Sequence, residues 1–278
     1  MKNNLTEMLN INYPIIQGGM MNISFAPLVS AVSNAGGLGT LGYINNISKW
    51  HDEIKKTKHA TNKSFAVNIP LYISDIDERL QIIFDENINI LITAAGNPSI
   101  VTGKLKNSEI KILHVVSNSV QAVKAESAGV NAVIAEGGES GGMVAGDIIS
   151  NMVLVPKVVD SVKIPVIAAG GIFDARGFIA CLALGAQGVQ MGTVFEASVE
   201  SSALKEWKDG IIKSSETDTI VFPAGKNHVR MLKPEKYPGK IITGQVSAMI
   251  TKIEKAEDIM KRIIDDIDPV FKRIEKQI

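Results

Sequence analysis

With 278 residues, the chain has room for one large α/β barrel or for two small domains. Apolar residues make up 45% of it and aromatics only 5%, so its core is built from aliphatic layers, as parallel sheets favour. Lys and Arg together number 29, as do Asp and Glu, which leaves no long-range field to draw in nucleic acid or an anionic membrane surface.

The single Cys181 excludes an intramolecular disulfide and suits a reducing compartment. It sits in the apolar stretch FIACLALGA, which reads as a buried structural thiol. The first residues, MKNNLTEMLNINYP, carry no apolar signal-like run, and no stretch reaches transmembrane length. A cytoplasmic protein is the expectation.

In chain order, Tyr13–Gly18 (YPIIQG) reads as a first strand that ends in Gly18-Gly19-Met20-Met21. A helix from near Ser24 to Asn34 follows, stopped by Gly36-Gly37, and Leu38–Leu41 makes a short second strand. FAVNIP from Phe65 is the third strand, with Asn68 near its C-terminal end. Ile88–Thr93, Ile112–Val116 and Ala132–Glu136 are the fourth, fifth and sixth. Helical periodicity fills the intervals, for example Ser119–Ala128 and Ile149–Ser161.

Two further apolar runs end abruptly in glycine: Ile164–Ile172 (IPVIAAGGI) and Gly188–Thr193 (GVQMGT). Strand and helix alternating eight times is the pattern of a parallel (β/α)8 TIM barrel, an α/β fold. A doubly wound sheet would need an opening G-x-G-x-x-G with an acidic residue about 20 positions on, and none fits. Residues 200–240 are more polar and read as an insertion after strand eight, a lid over a barrel formed by 1–199 and 241–278. Gly244–Ile250 resumes an apolar helical pattern, and Glu254–Gln277 reads as one amphipathic helix on the body or on a second copy in a homodimer.

The loops after strands seven and eight of such a barrel are its usual phosphate site. Gly170, Gly171 and Gly192 would let backbone N–H groups approach an anion, and Thr193 adds a hydroxyl, although glycines that serve only packing would look the same. Asn68 suits the edge of a flavin or nucleotide ring, or equally a turn before Pro70. Glu136 opens the loop EGGESGGM, whose four glycines imply close backbone approach to something flat or anionic, or else a flexible surface loop. His114 reads as a packed core histidine, and His51 and His59 as solvated. His228 lies on the insertion, able to swing over the site or to remain a surface residue. No pair of histidines has metal-ligand spacing and no nucleophile elbow is present.

Taken together, YPIIQGGM, NAGGLGTLG, FAVNIP, TAAGNPS, IAEGGESGG, IPVIAAGGI, GVQMGT, VRMLK and GQVSAMI, in that order, resemble the nitronate monooxygenase family, formerly 2-nitropropane dioxygenases. That family includes the FMN-dependent enoyl-acyl-carrier-protein reductases, and the resemblance runs to about Ile250. It implies a barrel that binds FMN at its C-terminal mouth. Gly18, Gly19 and Met20 would lie under the isoalloxazine and Asn68 at its edge. Glu136 and Gly141 would line the ring and ribityl chain, and Gly170, Gly171, Gly192 and Thr193 would hold the phosphate beside Gln190 and Met191.

One departure stands out: where the family pattern has a histidine, this chain has Met143, whose thioether transfers no proton. The resemblance implies oxidation of alkyl nitronates with O2. The alternatives are an enoyl-thioester reductase drawing on NAD(P)H and a non-catalytic flavin-binding protein. In each case the partner is a small molecule, and His228 is the candidate to replace the missing base.

Overall fold

The computed structural model describes residues 1–144, 147–225 and 227–277. In chain order its helices are α1 (Asn4–Leu9), α2 (Ala26–Asn34), α3 (Ile47–Ala60), α4 (Ile76–Asp85), α5 (Ser99–Thr102), α6 (Ser119–Ser127), α7 (Asn151–Val159), α8 (Ala175–Ala183), α9 (Thr193–Glu196), α10 (Lys205–Lys213), α11 (Ala256–Asp265) and α12 (Ile267–Glu275). The strands are β1 (Ile15–Gln17), β2 (Gly39–Leu41), β3 (Phe65–Pro70), β4 (Ile90–Ala94), β5 (Lys111–Val116), β6 (Ala132–Glu136), β7 (Gly142–Val144), β8 (Val166–Ala169), β9 (Gly188–Met191), β10 (Thr219–Ala224) and β11 (Asn227–Leu232).

Eight of these strands form one parallel sheet in the order β1-β9-β8-β6-β5-β4-β3-β2. The two ends meet, because Ile16 bridges to Leu38 and the Gln17 N–H donates to the Leu38 carbonyl at 2.9 Å. The sheet therefore closes into the expected (β/α)8 barrel. The period of two sorts its side chains. Ile16, Leu38, Ile90, Ile92, Leu113, Ile134 and Ile167 fill the interior, while Val67, Ile69, Leu91, Ile112, Val116 and Val133 face the surrounding helices. Each such side chain contributes about 1.5–3 kcal/mol on burial, so the two layers together set the fold.

Helix α1 closes the bottom. Asn3 caps it, accepting from the Thr6 N–H at 2.9 Å, and its Nδ2 donates to the Gln187 carbonyl at 2.6 Å. Leu5 and Leu9 then enter the interior cluster as a plug.

At the opposite end, residues 200–240 hold α10 and the antiparallel β10–β11 hairpin. The hairpin does not stand alone. β11 pairs with β7, so His228, Val229 and Arg230 lie opposite Val144, Met143 and Gly142 in a separate three-stranded sheet. The stretch read as one long amphipathic helix is two, α11 and α12, which break at Asp266, and Gly244–Ile250 holds only a 3₁₀ turn over Gln245–Met249. His51 is also less solvated than expected: it is half-buried, with its Nε2 2.7 Å from Glu86 Oε1. Among the described residues no helix is long and apolar enough to cross a membrane, and no three metal-ligating side chains cluster.

Candidate active site

The C-terminal mouth of the barrel opens into one cavity of about 1290 Å³. This exceeds the ~300–1,000 Å³ of a pocket for one drug-sized ligand, so it has space for a cofactor and a second molecule. Every residue singled out from the sequence except His228 lines it: Gly18, Gly19, Met20, Asn68, Glu136, Gly141, Met143, Gly170, Gly171, Gln190, Met191, Gly192 and Thr193.

The loop after β1 is shaped by Gln17, a fully buried carboxamide. Its Oε1 accepts from the Thr40 N–H at 3.0 Å, and its Nε2 donates to Ser24 Oγ at 3.0 Å and to the Gly18 carbonyl. Ser24 Oγ in turn accepts from the Met20 N–H at 2.9 Å, which folds the Gly18–Met21 backbone back over the strand tip. Gly19 has to be bare, since a Cβ there would sit 2.7 Å from Asn68 Cβ. The Asn68 amide donates to the Ile92 carbonyl at 3.3 Å.

Across the cavity, β8 ends in Gly170 and Gly171 at φ +92° and +71°, a region that L side chains adopt only with strain. In front of Gly192 the space is open: a Cβ there would meet only Met20 Sδ, at 3.8 Å. The N–H groups of Gly171, Gly192 and Thr193 have no acceptor among the described residues. Gln190 Oε1 is likewise buried without a partner. Unpaired donors around an open cradle, with an orphaned acceptor beside it, fit an anionic ligand that carries its own polar ring or chain.

The glycines after β6 tell a different story. A Cβ on Gly141 would come within 2.4 Å of the Thr243 carbonyl carbon, one on Gly138 within 2.4 Å of Ile148 Cγ2, and one on Gly137 within 2.6 Å of Asn151 Oδ1. These three positions are bare because the protein's own segments press against them. Gly141 nonetheless lines the cavity, together with Gly142.

Three glutamates line the cavity: Glu136, Glu139 and Glu196. Burial pushes Glu136 up to about 7 and Glu196 up to about 8. Glu196 Oε1 accepts from Trp207 Nε1 at 2.5 Å, and its Oε2 lies 2.9 Å from Thr243 Oγ1. Near neutral pH Glu136 and Glu196 carry less negative charge than ordinary glutamates, which favours an anion nearby. Neither Glu196 nor its partners carried a sequence signal, because the network joins α9, α10 and the segment before the 3₁₀ turn across gaps of 11 and 47 positions.

His114 lies at the β5 tip with its Nδ1 2.8 Å from Thr93 Oγ1. It is buried and reaches the cavity edge, and burial lowers its pKa to about 4, so it stays neutral.

On β7, Met143 is half-exposed at the cavity, and the Asn227 amide donates to its Sδ at 3.4 Å. Asn227 and Val229 line the cavity from β11. Strand alternation sets His228 on the other face, where its Nδ1 is buried without a partner among the described residues. His228 is not among the residues that line the cavity. Arg230 pins the hairpin, donating through Nε and Nη2 to the Gly138 carbonyl at 3.1 and 2.7 Å.

Comparison with known proteins agrees with this geometry. The family model described as nitronate monooxygenase matches residues 2–79 and 71–237. A probable nitronate monooxygenase of Staphylococcus aureus (strain MSSA476) is 37% identical, over 80% of this chain and 76% of that one. Among solved structures, FabK from Thermotoga maritima superposes with a TM-score of 0.94 at 34% identity, over the full length of both chains. A nitroalkane oxidase from Streptomyces ansochromogenes superposes at 0.85 over 98% of this chain and all of that one; at 22% identity it speaks to the fold. An eight-stranded barrel, a mouth lined by the strand-tip motifs and matches over most of the chain converge: this protein belongs to the nitronate monooxygenase family, and is an oxidoreductase.

Proposed function

We propose that the protein is an FMN-dependent oxidoreductase of the nitronate monooxygenase type, which oxidises alkyl nitronates with O2. The observation that carries this is the open cradle of unpaired N–H groups at Gly171, Gly192 and Thr193, next to the orphaned Gln190 carboxamide oxygen. These residues would hold the FMN phosphate, with Gly170 and Met191 completing the wall. Gly18, Gly19, Met20, Asn68, Glu136 and Gly141 would border the ring and its side chain. When bound, FMN supplies the electron-pair chemistry and the reaction with O2.

The chain's own part is to place the substrate and keep water out. Met143 faces the cavity but has no proton to give or take. A nitronate arrives already deprotonated, so this wall suits it, whereas a neutral nitroalkane would need a base. The β10–β11 hairpin, pinned by Arg230, acts in this reading as the lid.

One observation favours a second reading, an enoyl-thioester reductase that takes hydride from NAD(P)H. The likeness to FabK spans both chains completely at 34% identity, and the family resemblance takes in enoyl reductases. Purified protein should be yellow. Anaerobic titration separates the readings: bleaching by a nitronate alone supports the oxidase, and rapid bleaching by NADH or NADPH supports the reductase. Tight FMN that neither donor reduces would leave only a flavin-binding scaffold, and colourless protein that refuses FMN would overturn all three.

A further inference from the structure

Behind the phosphate cradle runs a chain of buried hydroxyls with a carboxyl group at its far end. Thr193, Thr243 and Glu196 are 7%, 1% and 3% exposed. Glu196 Oε2 lies 2.9 Å from Thr243 Oγ1, which lies 3.4 Å from Thr193 Oγ1, and Thr193 Oγ1 also accepts from the Gly244 N–H at 2.9 Å. Glu196 Oε1 is held by the Trp207 indole N–H. We propose that Glu196 is a positioning residue which, through Thr243, aims the Thr193 hydroxyl at the phosphate of the cofactor. The inference rests on the phosphate reading of the cradle and concerns how that site is controlled.

Counting protons gives the direction. A neutral Glu196 donates its O–H to Thr243 Oγ1, so Thr243 donates to Thr193. Thr193 Oγ1 then accepts twice, from Thr243 and from Gly244, and its own hydrogen has only the cavity left. An ionised Glu196 takes the Thr243 hydrogen for itself. The Thr193 hydroxyl is then free to turn back onto Thr243, and a negative charge stands two hydroxyls from the phosphate. Both changes weaken anion binding. A bound phosphate must, reciprocally, favour the protonated carboxyl.

The charged groups nearest this chain are held by partners of their own. Lys208, next to Trp207 on α10, gives its ammonium to the Ser198 and Ser201 carbonyls at 2.7 and 2.8 Å. Glu139, whose side chain packs against Gly171, accepts from the Asn151 N–H at 3.0 Å. The 3₁₀ turn Gln245–Met249 has no titratable side chain. On α11, Glu257, Asp258 and Lys261 face solvent and Arg262 covers the Phe173 ring. Burial alone holds the carboxyl up at about 8.

The test compares FMN with riboflavin, which lacks the phosphate, by fluorescence titration of flavin-stripped protein between pH 6.5 and 9. The phosphate itself, with a second pKa near 6, is already a dianion over most of this range. FMN affinity should fall roughly tenfold as pH rises through about 8, within the usual span of a coupling between sites, while riboflavin affinity stays level. Glu196→Gln keeps a neutral donor and acceptor at the same place, so its FMN affinity should no longer vary with pH. Calorimetry in two buffers should show proton uptake on FMN binding by the wild type near pH 8 and none by Glu196→Gln. Thr243→Val should narrow the preference for FMN over riboflavin at every pH. A preference that does not vary with pH in the wild type, or that still varies in Glu196→Gln, would overturn the role of Glu196 and leave the cradle intact. Equal binding of FMN and riboflavin throughout would instead remove the phosphate reading.

Discussion

The cavity has two ends built on different rules. At the β8 and β9 tips the backbone itself is the ligand-facing surface: Gly170 and Gly171 at positive φ, and Gly192 against open space. At the other end, β7, β10 and β11 form a small sheet of their own, and what faces the cavity is side chains, Met143, Asn227 and Val229. The first end tolerates almost no substitution but can serve any ligand with the same anionic group. The second, being made of side chains, can change residue by residue. Under the proposed function, anchoring and selectivity would thereby be separated in space.

The largest expected effect tests that separation from the variable end. Met143→His should raise oxidation of neutral nitroethane relative to its nitronate by ~10² to 10⁴, the usual span of general-base assistance, without altering FMN affinity. Steady-state rates on the two forms of the substrate measure it, and equal rates on both forms in the wild type would refute the role given to Met143. From the anchoring end, Gly171→Val puts a branched side chain at φ +71°, with strain of order 1–3 kcal/mol, and narrows the cradle. FMN should bind roughly 10- to 100-fold more weakly, read by flavin fluorescence, a loss in line with that strain.

A smaller effect is expected where the two ends are tied together. Arg230→Ala removes two charge-assisted bonds to the Gly138 carbonyl, each worth ~1.5–3 kcal/mol. Hydrogen exchange should rise across β10 and β11 and stay unchanged in β3–β6 of the barrel. The smallest effect belongs to His228→Ala, since that side chain faces away from the cavity: turnover should stay within about twofold of the wild type, well under the contribution of a proton-transferring group. A loss on that larger scale would return His228 to the reaction.

The two ends also differ in how far they could be read from residues alone. Strands that stop at glycine are local signals, so IPVIAAGGI and GVQMGT announced two barrel strands and the bare backbone at their tips together. The pairing of β7 with β11 sets Met143 opposite Val229, 86 positions on, and no local pattern encodes it. For that reason the polar stretch 200–240 was legible as an excursion while its register against Met143, which turns His228 outward, was not. Gly137, Gly138 and Gly141 show the same limit. Bare backbone in a sequence says that something comes close, and here the close neighbours are Asn151, Ile148 and Thr243 of the same chain. Glu196 gave no sign because its importance lies in what Trp207 and Thr243 donate to it.

The plug beneath the barrel carries an implication for biosynthesis. Leu5 and Leu9 are made long before β9, yet the floor they seal includes Gly188 and the Gln187 carbonyl that Asn3 grips. β1 likewise finds one of its two neighbours only in β9. Helix α1 and β1 must therefore wait, unsatisfied, until β9 has been made, so ring closure is a long-range event of the kind that slows folding. A nascent chain stalled before β9 would expose both ends of an open sheet and a greasy N-terminal helix, which makes the interval before residue 191 the time when this protein most needs a chaperone.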